Sequence, residues 1–366
     1  MKIKDFIKTI NLVAPLSMNE KWDNSGLIVG NLETKVEKVL LGIDITDELL
    51  DFAIKNKYNV VLTHHPMIFK NMKKFEINNK RAHYLFKAYE NNLNILGWHT
   101  PLDLSDMGTH ETLSNIINLQ NREIIEKIYV ESYYKLITFV PKTHIDIVFD
   151  AITKAGAGRY NNYDSCTFQQ NGLGTFKPLI NSNAYIGSVG NIEHVEEIKL
   201  ESIVLKSNVS NVIAKLKQVH PYEEVAYDII KLENLKKEYG HGRIGNIQSI
   251  SAKELAFELK KELRAKCIKV YGDENRKIEN IAICAGAGED LINELNNIDA
   301  YISSDIRSTK ILDLMDKDMV VIDIGHYYSE RPVLKKLKEF LDSNLENILV
   351  DISELDMDNE SSYTIV

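Results

Sequence analysis

The chain has 366 residues, 44% hydrophobic and 27% charged, with a formal net charge of −9 at pH 7. These values describe a globular protein long enough for two or three domains, and the acidic excess excludes broad electrostatic binding to nucleic acid or an anionic membrane surface. Its three cysteines, Cys166, Cys267 and Cys284, are far apart without C-x-x-C spacing, so neither a disulfide framework nor a thiolate metal site is expected. No apolar window reaches the roughly 18–20 residues of a membrane span, and no signal-type stretch opens the chain, so the expected location is the cytoplasm.

Residues 4–14 place Phe6, Ile7, Ile10, Val13 and Ala14 on one helical face, and Pro15 closes the run. Residues 39–43 form an apolar run of strand length, after which Thr46 caps a helix carrying Leu49, Leu50, Ala53 and Ile54. A second apolar strand, 58–63, ends at His64-His65-Pro66. A helix near 80–91 follows, then a strand from Leu93 to Trp98 that ends at His99. Strands alternating with helices predict βαβ units and parallel pairing, with functional side chains beyond the carboxyl ends of the strands.

The pattern changes near 130. Strand 134–141, helix 143–155, strands 163–169 and 184–190, helix 209–219 and strand 225–232 follow in the order β-α-β-β-α-β, that of a ferredoxin-like module. It is expected as a self-contained insertion over 130–236. From 237 the alternation returns, with helix 251–263, strands 267–271, 278–284, 299–303 and 319–324, and helix 330–342. Ser329 is the expected N-cap of that last helix, with Pro332 in its first turn. Residues 351–366 read as a solvated acidic tail. The expected fold class is α/β: two α/β lobes, 1–129 and 237–366, with mostly parallel sheets forming one core, interrupted by the ferredoxin-like insertion.

Three strand ends present ligand-type side chains: His64-His65, His99 to Asp103, and His326 to Glu330. Imidazole and carboxylate suit zinc, manganese, iron or cobalt in mixed nitrogen and oxygen sites. Adjacent histidines on an extended chain point to opposite sides, so two metals a few ångströms apart accommodate the pair better than one, and Glu330 is placed to bridge them. Singly, each residue has an ordinary role: Asp103 as a helix N-cap, Glu330 as a charge offsetting a helix dipole, His99 as a hydrogen-bonded strand-end histidine. Their coincidence at strand ends is what points to metal.

Five stretches carry a family likeness: Trp22-Asp23-Asn24-Ser25-Gly26-Leu27-Ile28-Val29-Gly30, Leu62-Thr63-His64-His65-Pro66-Met67-Ile68-Phe69, His99-Thr100-Pro101-Leu102-Asp103, Gly240-His241-Gly242-Arg243-Ile244-Gly245, and Asp323-Ile324-Gly325-His326-Tyr327-Tyr328-Ser329-Glu330. Through them the chain resembles the Nif-three-like family, whose members are also called GTP cyclohydrolase 1 type 2 homologues. The resemblance implies a toroidal homohexamer with two divalent metal ions per subunit, held by His64, His65, Asp103, His326 and Glu330, with Glu330 as the bridge. The middle segment is similar to PII signalling and divalent-cation-tolerance proteins at His220-Pro221-Tyr222-Glu223-Glu224, whose ordinary role would be a turn opening a strand.

The expected activity is metal-assisted hydrolysis of a small anionic substrate, a nucleotide or phosphoester, with His99 shuttling a proton or orienting a ligand. Ring opening of GTP is the reaction in the family's name; Gly286-x-Gly288 is too short for a phosphate loop. The rival reading is a non-enzymatic metal-binding, regulatory or chaperone-like hexamer. The chain departs from the family at Pro101, at Met107-Gly108-Thr109-His110-Glu111, at Ser304 and at Thr309, changes that surround the expected ligands without replacing them.

Overall fold

The computed structural model describes residues 1–70, 72–76 and 78–353. Helix α1 (Ile3–Asn11) buries Ile3, Phe6 and Ile10 along its apolar stripe. There follow β1 (Gly26–Val29), β2 (Lys38–Gly42), α2 (Asp47–Lys55), β3 (Val60–Thr63), α3 (Lys80–Glu90) and β4 (Asn94–Gly97). Thr46 caps α2 as expected, its hydroxyl accepting from Leu49 N at 3.1 Å. Short helices α4 (Thr100–Leu104) and α5 (Thr109–Ile116) lead into a long strand, β5 (Gln120–Pro141). Then come α6 (Ile145–Lys154), β6 (Thr167–Phe176), β7 (Glu193–Leu205), α7 (Val209–Val219) and a second long strand, β8 (Tyr227–Ser251). The remaining elements are α8 (Ala252–Glu262), β9 (Lys269–Tyr271), β10 (Lys277–Ala287), β11 (Ala300–Ser304), α9 (Ser308–Met315), β12 (Val320–Asp323), α10 (His326–Glu330), α11 (Val333–Asn344) and β13 (Leu349–Ile352).

The chain divides into two compact units, Met1–Tyr129 with Tyr239–Val366, and Val130–Glu238. In the first, one sheet has the order β1-β4-β3-β2-β13. Its four strands from β4 to β13 run parallel, and β1 pairs antiparallel with β4. Every residue of β3 is buried, as a strand covered on both faces requires. One of its apolar cores joins Phe6, Leu41, Leu62 and Trp98 to Val333, Leu337 and Leu341 of α11. Helix α11 and strand β13 thus return to the N-terminal sheet, and the two flanking segments interlock. The other strands of this unit, β10, β11 and β12, run parallel, with β8 and β9 antiparallel at their two sides. The protein is mixed α/β with two sheets.

In the second unit the strand order is β6-β7-β5-β8. Leu136, Val140, Leu200 and Val204 of its strands share a core with Val148 and Ile152 of α6 and Leu216 of α7.

Local expectations differ at several points. Residues 184–190 form no strand: Gly187 and Gly190 take positive φ of 94° and 86°, which breaks an extended run. The strand lies at β7 instead, where Leu200, Ser202 and Val204 are buried at every second position. The strands expected at 134–141 and 225–232 extend to Gln120 and Ser251. The single helix expected over 330–342 is two: Glu330 ends α10, and α11 starts at Val333 with Pro332 as its N-cap. Ser329 therefore caps nothing; its hydroxyl accepts from Gly286 N at 2.8 Å and donates to His326 O at 2.6 Å. Of the expected tail, Asp351 and Ile352 belong to β13, and 354–366 lie outside the described residues. Among the described residues no helix is long and apolar enough to cross a membrane.

Candidate metal centre

The first unit brings strand ends from both its sheets together. β3 runs into His64 and His65, β4 into Trp98 and His99, and β12 through Gly325 into α10, which carries His326 and Glu330 one turn apart. Gly325 holds φ of 76°, a turn only glycine makes freely, and so re-aims the chain from strand to helix. Asp103 comes from α4, where Pro101 sits in the first turn and needs no N–H partner.

Glu330 is the hub, 3% exposed. Its Oε1 lies 3.0 Å from His326 Nε2 and 3.7 Å from His64 Nε2; its Oε2 lies 3.2 Å from His65 Nε2. Asp103 Oδ1 is 3.4 Å from His64 Nε2, and Asp103 Oδ2 is 3.9 Å from His99 Nε2. All five residues expected as ligands, and His99, are therefore drawn to one place. The neighbouring histidines do not point to opposite sides. The chain bends as it leaves β3, their ring centroids lie 4.9 Å apart, and both approach the same carboxylate.

Each imidazole is held from behind through Nδ1. His64 bonds to Trp98 O at 3.2 Å, His65 to Asp44 at 2.9 Å, His99 to Asp23 at 3.1 Å and His326 to Asp305 at 2.7 Å. Thr109 donates to Asp103 Oδ1 at 2.6 Å. Such partners orient a ligating ring and make it more basic. Four Nε2 atoms are thereby left facing inward. His64 Nε2 and Glu330 Oε2 are buried without a hydrogen-bond partner, an arrangement that costs free energy unless a further group satisfies it. Donor atoms of His64, His65 and His99, and of His65, His326 and Glu330, lie within 4.8 Å of one another, close enough to hold metal ions. This chemistry fits a divalent cation.

The electrostatics agree. Burial pushes Glu330 up, but the imidazoles around it outweigh burial and hold its carboxyl well below the usual range. Burial likewise pushes the histidines down, yet the neighbouring carboxylates of Asp44 and Glu330 raise His65 to about 10, and those of Glu330 and Asp305 raise His326 to about 9. With no cation bound, these charges neutralise one another.

Asp23, Asp44 and Asp305 were not among the expected site residues. Asp44 follows an apolar strand, as the histidines do, and that position is the one signal the sequence offers for it. Asp305, with φ of 53°, uses a conformation that Asp tolerates better than most residues. Of the departures, Ser304 donates to Gly286 O at 2.6 Å, and Thr309 is exposed on α9.

A family model described as Duf34/NIF3 (NGG1p interacting factor 3) matches residues 1–360. A Halalkalibacterium halodurans protein named GTP cyclohydrolase 1 type 2 homolog is 33% identical over 341 residues, 92% of this chain and 90% of its own length. A Staphylococcus epidermidis protein of the same name is 32% identical, covering 93% of both chains. Among solved structures, a Bacillus cereus protein related to NIF3 superposes with a TM-score of 0.78 at 31% identity, covering 100% of this chain and 99% of that one.

Proposed function

The chain belongs to the Duf34/NIF3 family, and from that premise we propose that it is a dinuclear divalent-metal protein acting as a metal-dependent hydrolase on a nucleotide or phosphoester. One observation carries the reading: four Nε2 atoms, each backed by an oxygen on Nδ1, converge on Glu330 and Asp103. In the proposal His64, His65, Asp103, His326 and Glu330 are the ligands, and the separate approaches of imidazoles to the two oxygens of Glu330 support its use as a bridge. Zinc, manganese, iron and cobalt all suit such donors. Ions held there would lower the pKa of a bound water and polarise the bond it attacks. The protein's own part is positioning. His99, tied to Asp23 and turned toward Asp103, is placed to accept a proton on Nε2 and return it to a leaving group. Trp22 and Phe69 meet its ring edge-on at 5.5 and 5.3 Å and limit its movement.

The same proposal takes the second unit as a ferredoxin-like insertion, supported by the strand order β6-β7-β5-β8 with two helices. It also includes the homohexamer that the family resemblance implies and the cytoplasmic location expected from the sequence composition. Metal analysis of the isolated protein tests the centre: roughly two equivalents per subunit are expected, with a large loss in His65→Ala and Glu330→Ala. Full stoichiometry in both variants contradicts the ligand set. Turnover of GTP and of simple phosphoesters by metal-loaded protein tests the chemistry, and activity independent of Glu330 removes the hydrolase reading.

A further inference from the structure

The second unit holds a cavity of about 790 Å³, a volume typical of small-molecule sites. Its floor is the sheet face turned away from α6 and α7. There Phe139 pairs with Lys199, and Gly172 with Glu197, on the side opposite Val140 and Leu200 of the core. Gly172 and Gly174 leave this floor bare; a Cβ at 174 would collide with the Glu197 carboxylate.

Glu197 is 8% exposed, unusual for a carboxylate with no cationic partner among the described residues. Tyr222 donates to its Oε1 at 2.8 Å, and among the described residues no donor reaches Oε2. Three rings stand by it: Tyr222 lies 6.0 Å from Phe176 and 6.3 Å from Tyr185, centroid to centroid, and all three line the cavity. Glu223 and Glu224 line it too. Of the two lysines there, Lys199 is paired with Glu201, which leaves the balance negative.

The stretch His220-Pro221-Tyr222-Glu223-Glu224 builds this wall. His220 donates from Nε2 to Phe139 O at 3.0 Å and accepts from Tyr222 N on Nδ1 at 3.1 Å. Both ring nitrogens are thus used in placing Tyr222, whose hydroxyl reaches Glu197. Glu223 accepts from Asn183 N at 2.8 Å and so fastens the segment after β6 over the cavity.

We propose that this cavity binds a small organic cation bearing an alkylated ammonium group, paired with Glu197 and packed against Phe176, Tyr185 and Tyr222. Aromatic faces attract such a cation, and its weak hydration lets it leave water for an apolar box. An anion would meet Glu197 unfavourably. A neutral apolar ligand would bury Oε2 without a partner. A bare metal ion would leave the ring faces beside Glu197 unused. The proposal does not depend on the metal centre.

Choline and its neutral isostere 3,3-dimethylbutan-1-ol, titrated calorimetrically into the full chain, test it. Choline is expected to bind at least about tenfold more tightly than the alcohol. Glu197→Gln is expected to abolish that preference. Tyr185→Leu, at a ring 52% exposed, is expected to weaken choline about fivefold without loss of thermal stability. Glu233→Gln, at a side chain 84% exposed, is expected to leave choline binding unchanged. Equal affinity for the two probes, no choline binding up to about 10 mM, or a preference that survives Glu197→Gln overturns the proposal. If Glu197→Gln does not fold, unchanged choline affinity in Tyr185→Leu overturns it.

Discussion

Asp44 Oδ1 lies 2.9 Å from Nδ1 of His65, across the ring from the nitrogen that faces Glu330. The carboxylate keeps the Nδ1 proton in place, leaves Nε2 for a cation and raises the ring's basicity. Asp44 has 59% of its side chain exposed, so Asp44→Ala is expected to fold normally. Its metal affinity should fall roughly 10- to 100-fold, measured by competition with a chelator. Unchanged affinity would mean that the ring is held well enough by its neighbours alone.

Metal uptake should depend steeply on pH. His65 near 10 and His326 near 9 are protonated at neutral pH when no cation is bound, and a divalent ion takes only the neutral ring, so binding expels protons. Two protons displaced correspond to about 100-fold in affinity per pH unit at the steepest, flattening as pH passes roughly 9 to 10. Proton release in weak buffer measures this directly. The sign for stability is opposite. Both folded values stand above the ordinary 6.5, so their stabilisation is complete below pH 6.5 and lost as pH rises through 9 and 10. Chelated protein should lose thermal stability across that window, more than metal-loaded protein does. A melting temperature constant from pH 7 to 10 in the chelated form contradicts the assignment.

The donors at 64–65, 99–103 and 326–330 are legible in the sequence because each follows a short run of buried apolar residues, and parallel strands gather their carboxyl ends. Their supports are not. Acidic residues such as Asp44 and Asp305 are common beyond strands, and what they do depends on which way a ring nitrogen faces. Strand β7 is masked for another reason: its first half, from Glu193 to Glu197, is mostly polar, and glycine and asparagine precede it. The return of β13 to pair with β2 involves four residues and a partner about three hundred positions away, beyond the reach of local periodicity.

Gly286 joins the backbone to the centre. Its φ is 72°, and a Cβ there would stand 2.5 Å from Glu330 Oε1. Gly286→Ala therefore carries about 1–2 kcal/mol of backbone strain and also displaces the carboxylate at the hub. The expected result is a modest fall in melting temperature with a disproportionate loss of bound metal. Stability lost without any change in metal content would show that Glu330 can shift and still serve.

Arg243 gives the Gly240-His241-Gly242-Arg243 stretch a structural task. Its side chain is 4% exposed; Nε donates to Glu111 Oε1, and Nη1 donates to the carbonyls of Gly240 and Gly242 at 2.8 and 2.7 Å. Burial pushes the Glu111 carboxyl up, but the guanidinium outweighs burial and holds it below its ordinary value. Arg243→Ala leaves a largely buried carboxylate and two carbonyls short of donors, a loss of roughly 3–5 kcal/mol in urea unfolding. Arg122 also donates to Glu111, at 2.8 Å, which places the expectation at the lower end of that range. Removing both charges as Arg243→Met with Glu111→Leu should recover part of the loss, because no carboxylate is then stranded. Glu111 and Thr109 share helix α5, and Thr109 holds Asp103. The single variant should therefore bind metal more weakly as well as unfold more easily, and normal metal affinity at reduced stability would confine Arg243 to the fold.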